Sequence, residues 1–455
     1  MVEAVACAFA DFVCRYGGFF RTKTRNNAEI ARSYLHGLVQ SENCNFSSMA
    51  DVVSDSCPQR FQHFISCSPW DQTPVIAQIG RDADGLLGGK PTSGLIIDET
   101  SFAKQGDGSV GVARQWSGRL GKVDNCQVAV FAVLTDGMRH TPVDARLYLP
   151  KVWIDDPERC DRAGIPQEAR VLTSKTAHAL SIVQSARERG MRFGWVGADG
   201  GYGKEPAFLR ALDAMNEVFV ADVHRTQRLW TERPEIIASR PSPGQDGAPV
   251  KRQAATSSVT AENLAKTFKK SDWTRHVLRD STRGKLQVDI AHRRVWLWDG
   301  NEETPRCWHL IVRREVGSPK TIKYSLSNAP ADTPVSQLAQ MQGHRYWVER
   351  AFEDAKGQCG LADYQALGWR AWHHHVTMVM VAMLFIAEQR ITYQSDFELL
   401  TPRDIVEMLG EALPRKPRTT GEIVEQINRR HQHRQSSIES RYRTQIEIQL
   451  NQRDR

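Results

Sequence analysis

Three acids stand where a carboxylate can do more than solvate a surface. Asp98 closes the apolar run GLIID and is followed by the polar stretch ETSFAKQG, while Asp199 closes FGWVGAD and is followed by GGYGK. Each sits where a buried strand reaches its carboxyl end, the edge at which open α/β sheets gather ligands. The third acid comes from RYWVERAFEDAKG. At about 100° per residue on a helix, Arg345, Glu349, Glu353 and Lys356 share roughly a quarter of the circumference, and Trp347, Val348, Ala351, Phe352 and Ala355 fill another arc. One face buries and the other offers two acids and two cations. Two-metal phosphodiester cleavage needs such a set: carboxylates flank cations about 3.5–4 Å apart while Arg and Lys neutralise the scissile backbone. An all-carboxylate site favours hard cations, so Mg²⁺ is the expected metal and Mn²⁺ its substitute.

Neighbouring residues compete for these roles. Glu99 is expected on the opposite side of the strand from Asp98, and Asp124 is the next acid along the chain. Glu353 shares the face of Glu349 but misses the Arg and Lys spacing, so solvated pairing within the helix is expected of it. A lone strand-end Asp is ordinarily a turn former or helix cap; it is the joint pattern that singles out Asp98. GGYGK is not a nucleotide-binding P-loop, because Ala198 stands where the first Gly is required and Glu205 where Ser or Thr is. A tight turn close to metal and phosphate accounts for its glycines, with Lys204 a candidate phosphate contact and a solvated Lys the plainer reading. His373, His374 and His375 point in different directions from consecutive helical positions and cannot converge on one ion, so structural or DNA-facing roles are expected. Trp296 and Trp298 alternate in HRRVWLWDG. Trp298 is a candidate for stacking on an unpaired base, against the commoner reading of a core pair.

The elements that must position these residues are legible in the periodicity. Residues 27–87 are helical, with Ser47 or Ser48 as a cap in FSSMADVV, giving an N-terminal helical unit over 1–87 that either reads DNA or merely packs. Over 88–225, GLIID, SGRLGKV paired with QVAVFAVLT, and VDARLYL read as strands. A helix from Gln167 to about Arg189, closed by Gly190, leads to the strands RFGWVGAD and VFVADV around the helix KEPAFLRALDAM. That order suits an α/β class protein with a mixed sheet, as in an RNase H-like core. Residues 226–330 read as a β-rich insertion with a flexible Pro/Gly/Ser-rich loop at 239–260. The second part of the core, 331–390, carries the Glu349 helix, and 391–455 is a basic C-terminal region whose Arg-rich tail either lies along phosphates or forms a solvated helix.

Here the chain resembles a known family. Arg345, three residues, Glu349, six residues, Lys356 is similar to the YREK signature of insertion-sequence transposases. IIDETSFAKQG, VGVARQWSGRLGKVDNCQVAVF, ADGGYG, VERAFEDAKGQCGLADYQ and WRAWHHHV resemble segments of insertion-sequence family 701, over about 21–389. The signature's Tyr falls on Gln342, with Tyr346 nearby but off register. The resemblance implies a DDE transposase with an RNase H-like core and a β insertion between the second Asp and the Glu. It implies Asp98, Asp199 and Glu349 as catalytic, metal-holding residues, and Arg345 and Lys356 as phosphate contacts. The implied reaction is hydrolysis at an element end followed by attack of the freed 3′ hydroxyl on target DNA. Joining two ends calls for a dimer or larger assembly. Two rival readings are a silent transposase-derived DNA-binding protein and a metal-dependent nuclease without strand transfer.

Composition is compatible with this and narrows it. Hydrophobic residues at 40% and charged ones at 25% exclude a wholly disordered chain, and a net charge of +7 suits a polyanionic partner. Nine cysteines without a CxxC pair argue against a disulfide framework or zinc ribbon and for a reducing cytoplasm. The apolar N-terminus carries Glu3 and Asp11 and lacks a basic start, unlike a signal peptide, and Val376–Ala387 is too short to span a bilayer.

Overall fold

The computed structural model describes residues 1–54, 56–118, 120–239, 251–281, 284–417 and 419–453. Helices come first: α1 (Val2–Tyr16), α2 (Ala28–Gln40), α3 (Phe46–Val52), α4 (Pro58–Ser66) and α5 (Gln72–Leu87). The cap of α3 is Asn45, whose side chain accepts from Ser48 N, rather than Ser47 or Ser48. Strands β1 (Gly94–Ala103), β2 (Ala113–Ser117), β3 (Lys122–Thr135) and β4 (His140–Leu147) follow. SGRLGKV is therefore not a strand. β2 begins earlier, and Gly121, at φ 62°, belongs to the turn joining β2 to β3.

After α6 (Lys151–Ile154) and α7 (Pro157–Ala163), the helix expected from Gln167 starts later, as α8 (Lys175–Glu188). Ser174 caps it by accepting from Ala177 N at 3.1 Å, and Gln167–Ala169 is only a 3-10 turn. Then come β5 (Trp195–Ala198), α9 (Gly200–Gly203), α10 (Pro206–Ala214), β6 (Phe219–Val223), β7 (Arg228–Leu229) and β8 (Ile236–Ser239). The loop expected over 239–260 is in part ordered: β8 pairs antiparallel with β9 (Lys251–Ala254), and β10 (Val259–Thr260) pairs with β7. Residues 240–250 of that loop lie outside the described residues.

The remaining elements are α11 (Ala261–Lys266), β11 (Trp273–Ser281), β12 (Gly284–Leu297), β13 (Arg306–Glu315), β14 (Ser318–Ser327), α12 (Val335–His344), α13 (Tyr346–Gln358), α14 (Trp369–Thr392), α15 (Pro402–Ala412) and α16 (Thr420–Arg453). One mixed sheet runs β11-β12-β13-β14-β6-β5-β1-β3-β2, with β4 also paired to β3. The β-rich segment is thus continuous with the core sheet, because β14 pairs antiparallel with β6. Only β1–β5 and β5–β6 are parallel among these pairings.

Each sheet face has its own cover. Ile96, Trp195 and Val220 join Val288, Ile290 and Ile311 beneath Leu338, Met341, Val348 and Ala351 of α12 and α13. The other cluster runs from Val5 to Leu413 and centres on α14, which is buried around its whole circumference. The three consecutive histidines serve this packing. His373 pairs with the Trp369 carbonyl at 2.9 Å, His374 stacks on Trp70 at 3.7 Å, and His375 meets the Tyr34 hydroxyl at 2.9 Å. Burial lowers the pKa of all three rings. No helix among the described residues is long and apolar enough to cross a membrane.

Candidate active site

Register brings the acids together. Ile97 of β1 pairs with Ala198 of β5, and Ala198 pairs with Ala221 of β6. The next residue on each of these three parallel strands is an aspartate: Asp98, Asp199 and Asp222. Alternation along a strand puts each on the same face as the residue two before it. That is the face of Ile96 and Val220, over which α12 and α13 lie.

The chain between these helices turns at Arg345, whose backbone stays helical at φ −54°, ψ −27°. Arg345 and Glu349 therefore keep their one-turn offset across the break, and Glu349 hangs over the aspartates. Asp98, Asp199, Asp222, Arg345, Glu349 and Lys356 all line one cavity of about 1230 Å³. Asp222 is the residue missed in the sequence. VFVADV reads as one apolar strand, and only the shared ending of IID, GAD and VAD hints that its acid belongs with the other two.

Arg345 is the counter-charge at the centre. Its Nε forms an ion pair with Asp222 at 2.9 Å, its Nη2 donates to Glu349 at 3.1 Å, and Nη1 lies 3.8 Å from Asp98. Burial works against this charge, but Asp222, Asp98, Glu349 and Asp199 outweigh it and raise the guanidinium pKa. Asp98 is shifted the same way for another reason: burial, then the charge of Asp199, pushes its carboxyl well above the usual range, with Arg345 opposing. Asp199 also caps α9, accepting from Gly201 N at 2.9 Å and Tyr202 N at 3.2 Å. Glu349 is the open member, with its side chain 54% exposed.

The other candidates divide. Lys356 lies on the cavity wall, donating to Thr100 Oγ1 at 2.7 Å and to the Ser101 carbonyl at 3.1 Å. Lys204 is exposed on the cavity rim. Glu99 pairs with Lys175 at 2.8 Å, Glu353 with Arg350 at 3.3 Å and Asp124 with Lys122 at 3.2 Å. Trp298 is elsewhere: just past β12, its indole N–H donates to the Glu302 carbonyl at 2.9 Å, and it does not line the cavity. Trp116 of β2 does, with 55% of its surface exposed. Gln342, at the signature's Tyr position, is buried and donates to Ser325 Oγ at 2.7 Å, which in turn donates to Asp222 at 2.6 Å.

The glycines after Asp199 have a packing role. A Cβ on Gly203 would fall 1.9 Å from the Asp222 carbonyl oxygen, a backbone atom that cannot rotate away. Gly203→Ala is expected to push α9 from β6 and cost roughly 1–3 kcal/mol as overpacking does, displacing Asp199 and Asp222 together. Urea denaturation alongside a cleavage assay checks this; unchanged stability would show that the approach relaxes freely.

The donor set suits a divalent cation in kind, since four carboxylates supply hard oxygens, and burial followed by the charge of Asp199 raises the Asp98 pKa, a shift that a bound cation would oppose. As they stand, no three His, Cys, Asp or Glu among the described residues are grouped closely enough to hold one ion. The guanidinium of Arg345 is the cation among them.

A mixed α/β fold with acids on adjacent parallel strands and a facing helix is consistent with a nuclease fold. A family model described as DDE superfamily endonuclease matches residues 15–285, and the chain belongs to that family. A probable transposase for insertion sequence element IS701 from Microchaete diplosiphon is 25% identical over 341 residues, 74% of this chain and 76% of its own. Among solved structures, the NurA nuclease from Sulfolobus solfataricus is 10% identical, matching 72% of this chain and 94% of its own. Its TM-score of 0.26 is too low to equate the folds.

Proposed function

We propose that this protein is a DNA transposase of an insertion sequence, cutting element ends and joining them to target DNA. The observation that carries the reading is the single cavity lined by Asp98, Asp199 and Glu349 with Arg345 among them. In this reading the three acids are the catalytic residues and would hold Mg²⁺, or Mn²⁺ in its place. Bound there, the metal would supply activation of the attacking oxygen and stabilisation of the leaving one.

The chain's own cations do the positioning. Arg345, tied to Asp222 at 2.9 Å, presents its remaining donors where a scissile phosphate would meet the acids. Lys356, anchored to β1, and Lys204 on the rim extend that contact along the backbone. Asp222 would hold the guanidinium in place with Asp98 and Glu349 serving as ligands of the metal. The sheet with α8, α10, α12 and α13 is the RNase H-like core of this proposal, the β11–β14 extension is its insertion, and the helices over 1–87 are a candidate DNA-binding unit. A dimer or larger assembly, acting in the cytoplasm, would bring two ends together.

Two measurements test it. Mg²⁺ is expected to raise the midpoint of thermal unfolding in wild type, since a ligand at about 100 times its Kd adds roughly 2.7 kcal/mol, and the rise should vanish in Asp98→Ala. An assay with element-end DNA and a target plasmid should give joined products. Nicks alone would leave a nuclease without strand transfer, and no cleavage would leave a DNA-binding protein. Terminal inverted repeats bordered by short direct duplications around the gene are the genomic counterpart.

A further inference from the structure

Next to the carboxylate cavity lies a smaller one, of about 210 Å³, lined by β11, β12, β13, β14, α12 and α13. It shares Asp222, Arg345 and Glu349 with the larger cavity, so whatever fills one adjoins whatever fills the other. Its other charged lining residues are Arg279, Arg313, Lys323 and Glu315.

These cations outnumber the anions free to pair with them. Arg313 is only 8% exposed, its Nε is buried without a hydrogen-bond partner, and its Nη2 reaches Glu315 only at 3.5 Å. Arg279 Nε is buried and unsatisfied too, while the guanidinium is held 3.5 Å over the Tyr346 ring. Among the described residues, no carboxylate lies within ion-pair distance of Arg279 or Lys323. Of the acids present, Asp222 and Glu349 are taken by Arg345 and Glu315 faces Arg313.

Buried guanidinium donors without acceptors are costly unless a ligand supplies them, and fork-shaped donors match phosphate oxygens. We infer that this side cavity binds a backbone phosphate of the DNA, through Arg279, Arg313 and Lys323, beside the phosphate being cut. The inference rests on the transposase reading, which places DNA in the larger cavity. On this assignment the β11–β14 extension holds the strand that runs past the acids toward the sheet edge. An apolar occupant would leave the same N–H groups unsatisfied, and a neutral polar one would leave the charges of Arg279, Arg313 and Lys323 without a counter-charge.

The test uses the full chain with Arg279→Gln and Lys323→Gln combined, and Arg279→Lys as the charge-keeping variant. DNA affinity is measured against salt concentration in Ca²⁺. Losing the contact to that one phosphate lowers the slope of log K on log salt by up to about 0.9, so the double variant should lose about that much, and Arg279→Lys alone far less. Replacing single phosphates near the cut site by neutral methylphosphonates should weaken wild type at one position and leave the double variant indifferent there. Thermal stabilisation by inorganic phosphate, present in wild type and lost in the double variant, reports the site without DNA. A dependence on a 5′-terminal phosphate rather than an internal one would reassign the occupant and overturn the backbone assignment. If wild type binds and cuts DNA while the variants keep its slope and methylphosphonate pattern, the side cavity is not a phosphate site. Phosphate binding without any DNA binding would instead bring down the transposase reading, and the backbone assignment with it.

Discussion

Asp98→Ala protein is expected to bind element-end DNA as wild type does and to cut it at least ~10³-fold more slowly. Metal-assisted charge stabilisation contributes several kcal/mol to such a reaction, and each ~1.4 kcal/mol is a factor of ten in rate. Binding has a different origin. The cations Arg345, Lys356 and Lys204 face the same cavity, and removing a carboxylate there subtracts a charge that repels phosphate. Asp98→Asn should be as slow, because it keeps the shape and loses the anionic oxygen. Asp124→Ala is the control: that acid is paired with Lys122 on the β2–β3 hairpin, and its loss should leave cleavage within a few-fold of wild type. Single-turnover cleavage in Mg²⁺ beside gel shifts in Ca²⁺ separates the two effects. An Asp98→Ala rate within tenfold of wild type would remove the acid from the chemistry.

What the sequence revealed of this arrangement follows from which interactions are local. Asp98 and Asp199 stand out because an acid abruptly stops an apolar run, although β1 does not end at Asp98 as that pattern suggests but continues along β3 to Ala103, and the face shared by Arg345, Glu349 and Lys356 follows from helical spacing alone. α14 reads as buried because it is apolar all round. Asp222 escapes the same logic, since Val223 continues the apolar pattern past it and only the β5–β6 register sets it beside Asp199. The joining of β14 to β6 is equally invisible. It is a pairing across about a hundred residues that no local pattern encodes. SGRLGKV reads as a strand only through its place before QVAVFAVLT, since Leu120 and Val123 do not keep the two-residue period, and the positive φ at Gly121 marks a turn. Trp298 fails as a cavity residue for a related reason: alternation gives the face of a strand, but not which end of it meets the acids.

The same electrostatics makes Arg345→Ala informative beyond a loss of rate. Without the guanidinium, Asp98, Asp222 and Glu349 face one cavity with no cation among them. Breaking a fully buried pair costs about 3–5 kcal/mol. Here Glu349 is half exposed and water reaches the others, so about 2 kcal/mol is a fairer expectation once screening is allowed for. The unfolding midpoint in EDTA should accordingly drop by a few degrees. Mg²⁺ should then stabilise the variant more than it does wild type, because the metal meets carboxylates that no longer have a competing guanidinium. Cleavage is not restored with it: the contact to phosphate is gone, and a deficit of ~10²-fold or more should persist at saturating Mg²⁺. Arg345→Lys separates the two roles, since a point charge can offset the acids but cannot bridge Asp222, Glu349 and a phosphate as a fork does. Its stability in EDTA should sit near wild type while its cleavage stays near that of Arg345→Ala. Equal EDTA midpoints and equal Mg²⁺ shifts for wild type and Arg345→Ala would mean that the guanidinium is not the charge these acids depend on.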